Sequence, residues 1–306
     1  MILISSPRFS SHSPPPGHPE RMERGGVFEA IAKTFAGAGG NVVEPRAATR
    51  EELVRIHTAP YLDSIEALAG RAAVLDEDTF MSPESSEVAS LAAGATIDAA
   101  RHAWTTGEAA MALVRPPGHH AEPHKAMGFC LYSNIALAAA ALRADGVERV
   151  AIVDFDVHHG NGTQAAFYED PSVLFVSSHQ YPYWPGSGAA TERGAGAGVG
   201  ATLNIPLAAG ATDADVLKQY ERQVIPALED FRPQVLLVSA GYDAHELDPL
   251  GGLRMTTAGF YEISALVAQA GRRLCGGRIA VVTEGGYHLT ALREGIEAMI
   301  GKLSES

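Results

Sequence analysis

The sequence predicts an α/β protein with a central, mostly parallel sheet of about eight strands and helices on both faces. Short apolar runs recur along the 306 residues, and segments with a helical pattern separate several of them. Near-continuous apolar strands are typical of parallel sheets, because such strands are buried on both sides. No linker, repeat or block of charge divides the chain, so we expect a single domain over residues 1–306. The predicted strands are MILIS, NVVEP, AAMALVR, VAIVDFD, VLFVSSH, ATLNIPL, VLLVSAG and IAVVTEGG.

Helix-start signals lie between several of these strands. Thr49 precedes REELVRIH, and Glu52 follows three residues later, which is the pattern of a capping box. In residues 84–104 the apolar side chains recur on one face of a helix. Ser82-Pro83 opens this helix, and two further helices are predicted to begin after Thr212 and Thr256, the last of which Gly276 can end.

The composition is that of an ordinary globular protein and excludes several classes. A net charge of −13 and a pI near 5.3 argue against nucleic-acid binding, which usually needs a basic face. No run of about 18 apolar residues predicts a membrane span, and the first residues do not resemble a signal peptide. Two cysteines, Cys130 and Cys275, are too few for a disulfide framework, so we expect a reducing, cytoplasmic setting. The sequence leaves the oligomeric state open, with a homo-oligomer among the alternatives.

Polar side chains follow four of the predicted strands at the point where each strand ends. VLFV leads to Ser177 and Ser178, and VLLVSAG leads to Asp243. IAVVT leads to TEGGYH, and VAIV leads to DFDVHHGNG. Ligands of open parallel sheets bind beyond the carboxyl ends of the strands. We therefore expect these four groups to lie together at one edge of the sheet.

The run DFDVHHGNG carries two carboxylates and two imidazoles. Because side chains of a strand alternate between faces, Asp154, Asp156 and His158 are expected to point the same way. Several buried carboxylates repel one another, and a bound cation removes that penalty. Two Asp oxygens and one His nitrogen suit Zn²⁺ or another first-row divalent ion, with a position left open for water. The alternative is that these residues cap the next helix and pair with arginines.

Two more segments carry groups suited to acid–base chemistry. In the segment RPPGHHAEPHKAMGFC, His119 and His120 lie together after a predicted strand. One of them can act as a neutral base and the other as a proton donor. Asp154 is a natural partner for this pair. In TEGGYHL the hydroxyl of Tyr287 could stabilise an oxyanion beside a metal, and the alternative is a packed tyrosine in a glycine turn. No G-x-S-x-G or H-E-x-x-H motif is present, which leaves metal-activated water as the favoured hydrolytic chemistry.

Taken together, these segments closely resemble the histone deacetylase superfamily, which includes acetylpolyamine amidohydrolases and acetoin-utilisation proteins. The Asn of DVHHGNGT and the Glu of EGGY look like the class II branch, with its bacterial histone deacetylase-like amidohydrolases. The motifs occur in family order from about residue 18 to 288. They are HPERMER, RPPGHHAEPHKAMGFC, VDFDVHHGNGTQ, SAGYDAHELDPLGG and EGGYH.

The resemblance implies the arginase–deacetylase fold and a role for each matching residue. By that analogy, one catalytic zinc is bound by Asp156, His158 and Asp243. Zinc and Tyr287 polarise the acetyl carbonyl, and zinc activates the attacking water. His120 is the general base, and Asn161 orients it. His119, paired with Asp154, assists electrostatically or by donating a proton.

The resemblance also implies a structural K⁺ ion and a substrate channel. The potassium ligands by matching position are main-chain carbonyls at Asp154, Asp156, His158, Ser177 and Ser178. Arg24 matches the arginine beside the acetate-release channel. Phe129 and Trp184 flank the channel, and the main chain of Gly128 lines it. Relatives specialised for acetylpolyamines can carry Glu where this chain has Leu250, so the expected substrate is an acetyl-lysine peptide or protein.

Three other functions stay open. The first is deacetylation of acetylpolyamines or other small acetylated amines. The second is an acyl-lysine binding protein without turnover, although such a protein has no need of the complete set of acid–base and metal-binding residues. The third is an arginase-like hydrolase with two metal ions, which requires further carboxylates that we do not find in the sequence.

Overall fold

The computed structural model describes residues 1–305 and is built on an eight-stranded sheet in which every pair of neighbours is parallel. Each of the eight predicted apolar runs forms one strand, so the predicted fold class is confirmed. Ala73–Val74 and Phe80–Met81 form a separate two-stranded antiparallel hairpin. The strands are β1 (Ile2–Ile4), β2 (Asn41–Val43), β3 (Ala73–Val74), β4 (Phe80–Met81), β5 (Ala110–Ala112), β6 (Val150–Asp154), β7 (Val173–Gln180), β8 (Thr202–Leu207), β9 (Val235–Ala240) and β10 (Ile279–Thr283).

The spatial order of the strands, β2-β1-β5-β10-β9-β6-β7-β8, places β5, β10, β9 and β6 side by side in the centre. Within each strand, alternate side chains enter different hydrophobic cores. In β6, for example, Val150 and Ile152 pack in one core and Ala151 and Val153 in the other. Both faces of the sheet are therefore buried, which explains why the strands are apolar without alternation.

Helices cover both faces of the sheet, and none within residues 1–305 is long and apolar enough to cross a bilayer. One core includes residues of the helices Glu23–Gly37, Thr257–Cys275 and Leu289–Ser304, and the other includes residues of the helices Ser85–Thr106 and Asn134–Ala144. The helices are α1 (Glu23–Gly37), α2 (Arg50–Leu53), α3 (Ala59–Glu66), α4 (Ser85–Thr106), α5 (Asn134–Ala144), α6 (Asn161–Phe167), α7 (Asp213–Gln219), α8 (Ile225–Phe231), α9 (Thr257–Cys275) and α10 (Leu289–Ser304).

Most of the predicted helix signals act as expected. Thr49 and Glu52 form the capping box of α2, and Thr212 begins α7 with a capping box of its own. The Thr256 side chain accepts a main-chain N–H in the first turn of α9, and Gly276 ends that helix with φ of 59°. Only glycine adopts such a backbone conformation without steric cost.

Two helix boundaries differ from the sequence-based expectation. The helix predicted after Thr212 is divided by a π-helical turn, Tyr220–Val224, before α8 begins. The helix predicted to open at Ser82-Pro83 begins three residues after Ser82, at Ser85. There the hydroxyl of Ser85 accepts the N–H of Ser82 at 2.7 Å, which holds the preceding turn outside the helix.

Candidate active site

Three of the predicted metal ligands converge beyond the carboxyl ends of β6 and β9. One ligand atom from each of Asp156, His158 and Asp243 lies within 4.8 Å of the other two. The side chain of His158 is 12% exposed, and those of the two aspartates are at most 1% exposed. The three residues are therefore close enough, and sufficiently shielded from water, to share one ion.

The main chain orients both carboxylates of this cluster. The N–H of Gly285 donates to Oδ2 of Asp156 at 2.8 Å, and the N–H of Val157 donates to Oδ1 of Asp243 at 2.9 Å. These bonds leave Oδ1 of Asp156 and Oδ2 of Asp243 at 3.1 and 3.2 Å from Nδ1 of His158. The ring nitrogen carries at most one hydrogen and cannot donate to both oxygens, and Oδ1 of Asp156 also accepts the main-chain N–H of His158 at 2.9 Å.

The electrostatics of the cluster fit a divalent cation. Burial, together with the neighbouring carboxylate of Asp156, raises the pKa of Asp243 to about 7. Two carboxylates and an imidazole that share a buried position form a donor set for a first-row divalent ion, and its charge offsets their repulsion. Residues Asp156, His158 and Asp243 could therefore hold a zinc ion.

Asp154 lies outside this cluster, although side-chain alternation groups it with Asp156 and His158. Strand β6 ends at Asp154, so the alternation of a strand does not continue through the following residues. Oδ2 of Asp154 instead lies 2.9 Å from Nδ1 of His119. The second histidine of the run, His159, also points away from the cluster and contacts Ser187 at 2.8 Å.

The tandem histidines lie against each other, with ring centroids 3.9 Å apart, but have different partners. Nδ1 of His120 lies 2.8 Å from the amide oxygen of Asn161. The amide nitrogen of Asn161 donates to Glu122 at 2.9 Å, which orients the oxygen toward the ring. Nδ1 of His120 therefore carries the hydrogen, and Nε2 is left free to accept a proton.

The surroundings of His119 and His120 shift the pKa values of the two imidazoles in opposite directions. Burial, together with the nearby imidazoles of His119 and His158, lowers the pKa of His120 well below its usual value. Burial also disfavours charge on His119, but Asp154 and Asp156 outweigh it and raise the pKa of His119 to about 10. A neutral base beside a charged proton donor is the arrangement that general acid–base catalysis requires.

Tyr287 lines the same site as His120 and His158, and hydrogen bonds of its main chain hold it in place. Its N–H donates to Oδ2 of Asp248 at 2.6 Å. The guanidinium of Arg24 lies 5.1 Å from the tyrosine ring, and its Nε donates to the carbonyl of Gly286 at 2.7 Å. Burial and the charge of Asp243 raise the pKa of Tyr287 well above its usual value, so the hydroxyl remains a hydrogen-bond donor.

A cavity of about 310 Å³ leads to these groups. Its apolar walls include Phe129, Trp184 and Leu250. Phe129 has φ of 67°, an unusual conformation for a bulky residue, and its N–H donates to Thr79 at 3.1 Å. All four predicted channel residues line this cavity, since Gly128 does so as well.

Only glycine fits at position 128. A Cβ atom there would lie 2.5 Å from the ring of His120 and 2.6 Å from the ring of Trp184, and the φ of Gly128 is 57°. The indole of Trp184 meets the imidazole of His120 edge to face, with centroids 4.6 Å apart. The channel wall and the predicted general base are therefore in direct contact.

The predicted potassium residues Asp154, Ser177 and Ser178 lie on two adjacent strands. Asp154 ends β6, but Ser177 and Ser178 lie within β7, which continues to Gln180, so the strand end expected after VLFV is wrong. Asp154 of β6 is in register with Ser177 of β7. The hydroxyl of Ser177 lies 2.9 Å from His179, and that of Ser178 donates to the carbonyl of Asp154 at 3.5 Å. The potassium site stays a prediction.

Comparison with known proteins gives the family. The family model described as Histone deacetylase domain matches residues 17–303.

The chain belongs to the histone deacetylase family.

Its relatives in this family include proteins of a plant, an archaeon and a bacterium whose names refer to deacetylases. Histone deacetylase 10, chloroplastic, of Oryza sativa subsp. japonica is 40% identical over 302 residues, which cover 91% of this chain and 68% of the relative. A probable deacetylase of Archaeoglobus fulgidus is 36% identical, with coverage of 93% and 80%. A histone deacetylase-like amidohydrolase of Pseudomonas aeruginosa is 45% identical, with coverage of 78% and 64%. These relatives support a deacetylase hydrolase.

The fold of this histone deacetylase family member also matches a solved structure, the HD domain of HDA15. The TM-score is 0.92 at 37% identity, and the match covers 99% of this chain and 88% of the other. The parallel sheet with its surrounding helices is therefore the arginase–deacetylase fold.

The sequence analysis gave no role to several residues of the channel, including Glu77, Asp78 and Phe80, and it also missed Tyr183. Its ring stacks on His158 with centroids 5.6 Å apart and an angle of 21° between the planes. Its hydroxyl donates to the carbonyl of Leu250 at 2.7 Å and joins two loops across the cavity mouth. The sequence offered one signal for this role, because Tyr183 directly precedes Trp184, which was predicted to flank the channel.

Proposed function

We propose that this chain is a zinc-dependent deacetylase that removes acetyl groups from lysine side chains. The observation that carries the proposal is the position of a possible metal site and a histidine base at the inner end of one cavity. A buried cluster of Asp156, His158 and Asp243 lies there beside His120, whose ring centroid is 5.8 Å from that of His158. Tyr287 completes the lining of the same cavity.

Asp156, His158 and Asp243 would hold the metal ion. Bound zinc supplies a Lewis acid for the acetyl carbonyl and lowers the pKa of a water molecule toward neutrality. In the proposed reaction, the free Nε2 of His120 accepts a proton from the attacking water. The hydroxyl of Tyr287 donates a hydrogen bond to the negative charge that develops on the oxygen of the acetyl carbonyl.

His119 has a separate part in this proposal. Its charge, held by Asp154, stabilises the negative charge that develops on the substrate. Collapse of the tetrahedral intermediate breaks the C–N bond, and a proton from the histidine pair passes to the leaving amine. The products are then a free lysine side chain and acetate. Arg24, close to Tyr287, remains the proposed residue of an acetate exit path.

Apolar channel walls and Leu250 favour an acyl-lysine substrate. Phe129 and Trp184 offer ring faces and edges to an aliphatic stem, and Leu250 places no charge at the mouth. The lysine stem of a peptide or protein suits this lining. The proposed partners are accordingly acetylated peptides or proteins, with neither nucleic acid nor membrane among them.

One observation favours a second candidate, a small acetylated amine. Glu77 and Asp78 also line the cavity, and a carboxylate there could attract the free ammonium group of an acetylated diamine. The two candidates therefore differ in what lies beyond the acetylated nitrogen, a peptide main chain or a second ammonium group.

The experiment compares an acetyl-lysine peptide with N-acetylputrescine, each before and after metal removal and with zinc added back. We expect the higher kcat/KM for the peptide and loss of both activities on metal removal. Faster cleavage of N-acetylputrescine would reverse the substrate assignment. Binding of the peptide without turnover, in zinc-loaded protein, would instead indicate an acyl-lysine binding protein.

The remaining parts of the proposal are structural K⁺ and a cytoplasmic location. K⁺ would be held by carbonyl oxygens near Asp154, Ser177 and Ser178, on the adjacent strands β6 and β7. Thermal unfolding in KCl and in tetramethylammonium chloride at equal ionic strength tests the potassium site. Equal melting temperatures in the two salts would remove K⁺ from the proposal.

A further inference from the structure

Glu284 is a fully buried carboxylate to which the proposed reaction gives no role. It follows β10 directly, three residues before Tyr287, and its exposure is 0%. Burying a carboxylate costs free energy unless hydrogen bonds or charges compensate. At this position three hydrogen bonds from uncharged donors and the nearby charge of His119 contribute to the compensation.

Two of these bonds hold the turn that carries the tandem histidines. Oε2 of Glu284 accepts the N–H of Gly118 at 2.7 Å and the N–H of His119 at 3.2 Å. Pro116 and Pro117 have no N–H, so these are the first main-chain donors after Arg115. The Glu284 carboxylate therefore accepts the first two main-chain N–H groups of the turn that carries the histidines.

The third bond ties the carboxylate to the neighbouring strand. The hydroxyl of Ser239, in β9, donates to Oε1 of Glu284 at 2.9 Å. The next residue, Gly285, donates its N–H to the predicted metal ligand Asp156. Glu284, at the end of β10, thus connects the turn that carries the histidines to β9. Gly285 connects the end of β10 to the metal-ligand cluster through Asp156.

The turn has little other freedom. A Cβ atom at Gly118 would lie 2.5 Å from the main-chain nitrogen of Asn134, so the turn already packs against the start of α5. Small shifts of a catalytic group cost large factors in rate, because the reacting atoms must be aligned. Fixing the main chain at residues 118 and 119 therefore fixes both imidazoles.

We propose that Glu284 is a positioning residue that sets the His119 and His120 turn against the metal-ligand cluster. The inference rests on the proposed function, since it assigns the turn a part in catalysis. Glu284 acts through hydrogen-bond geometry and not through its charge. A glutamine can make the same three bonds, because its amide oxygen accepts the two N–H groups and its amide nitrogen donates to the Ser239 hydroxyl.

The test uses Glu284→Gln, Glu284→Ala and Glu284→Leu, with steady-state kinetics on the zinc-loaded protein. We expect kcat of the glutamine variant within about threefold of the wild type, with an unchanged pH–rate profile. The alanine and leucine variants should lose about 10- to 100-fold in kcat while KM changes by less than about threefold. Ser264→Ala, which removes a buried hydroxyl that donates to the carbonyl of Phe260 within α9, is the control and should retain full kcat.

Each other outcome contradicts the inference. A glutamine variant as slow as the alanine variant, or one with a shifted pH–rate profile, would show that the charge matters. Alanine and leucine variants with wild-type kcat would show that the turn needs no such anchor. If the alanine and leucine variants fail to fold, the glutamine variant decides, and a loss of tenfold or more overturns the proposal.

The proposed function and this inference fail separately. Wild-type protein without chelator-sensitive deacetylation would reject the proposed function whatever the variants do. Crystal structures of the wild type and of Glu284→Leu report the turn independently of turnover. We expect the main chain of residues 118–120 to shift relative to Asp243 in the leucine variant, and an unmoved turn would overturn the inference.

Discussion

The amide oxygen of Asn161 lies 2.8 Å from Nδ1 of His120, so the predicted general base is oriented by a neutral group. His119, in contrast, lies beside the carboxylate of Asp154. Burial lowers the pKa of both rings. At His119 the carboxylates of Asp154 and Asp156 outweigh burial, whereas at His120 burial and the neighbouring imidazoles prevail, so the two pKa values shift in opposite directions.

Exchanging the neutral partner for a charged one should therefore change the pH dependence. In Asn161→Asp, a carboxylate beside Nδ1 stabilises the imidazolium and raises the pKa of His120. We expect the acidic limb of the kcat/KM profile to move to higher pH, because the base is then protonated over a wider range. Asn204→Asp, at a buried asparagine that contacts Gln164, is the control. A limb that stays in place would remove His120 as the base.

Tyr287→Phe should reduce kcat by about two to three orders of magnitude, as the loss of an oxyanion donor does. KM should change little, because the bond strengthens in the transition state. Tyr242→Phe is a matched control, since this buried hydroxyl has no hydrogen-bond partner among residues 1–305. Steady-state kinetics of both variants check the prediction, and equal kcat values for the two would exclude Tyr287 from the reaction.

Leu250→Glu should shift the substrate preference toward acetylated diamines. The new carboxylate at the cavity mouth can attract the free ammonium group, an interaction of up to about 1 kcal/mol at a partly exposed position. We expect the ratio of kcat/KM for N-acetylputrescine over the peptide to rise by about three- to fivefold. Leu250→Gln controls for polarity without charge, and an equal shift in that variant would contradict the electrostatic explanation.

Glu20 should contribute stability that depends on pH. Burial favours its protonated form, but Arg115, His12 and Arg24 outweigh burial and hold the pKa of Glu20 well below its usual value of 4.5. A depressed pKa in the folded state stabilises the protein above the unfolded-state pKa, and that contribution is lost as the pH falls.

The comparison is between the wild type and Glu20→Gln in urea unfolding at several pH values. The free-energy difference should be largest at pH 7 and shrink by about 1.4 kcal/mol for each pH unit below about 4.5. Glu66→Gln, at an exposed ion pair, should show a small difference at every pH. A constant difference between wild type and Glu20→Gln would contradict the ionised state of Glu20.

The fold was predictable because its signals are local. All eight apolar runs became strands, since runs that are buried on both sides carry their signal in every residue. The division of the helix after Thr212 was not predictable, because a π-helical turn leaves the side-chain pattern almost unchanged. The start of α4 at Ser85 depends on a hydrogen bond between two serines that the pattern does not show.

The site was only partly predictable. Strand ends carry their polar groups in the sequence, which is why Asp156 and Asp243 could be placed at one edge. The separation of Asp154 from the metal-ligand cluster depends on where β6 ends, and strand alternation does not report that boundary. Contacts such as the one from Tyr183 to Leu250 join loops 67 residues apart and leave no local pattern.

The central claim is that Asp156, His158 and Asp243 bind one catalytic divalent ion. Elemental analysis of the purified protein, combined with activity after metal removal and zinc titration, tests it most directly. We expect one equivalent of zinc to restore full activity, and Asp156→Ala with Asp243→Ala to bind none. Full activity in metal-free protein, or an undiminished zinc content in that double variant, would contradict the claim.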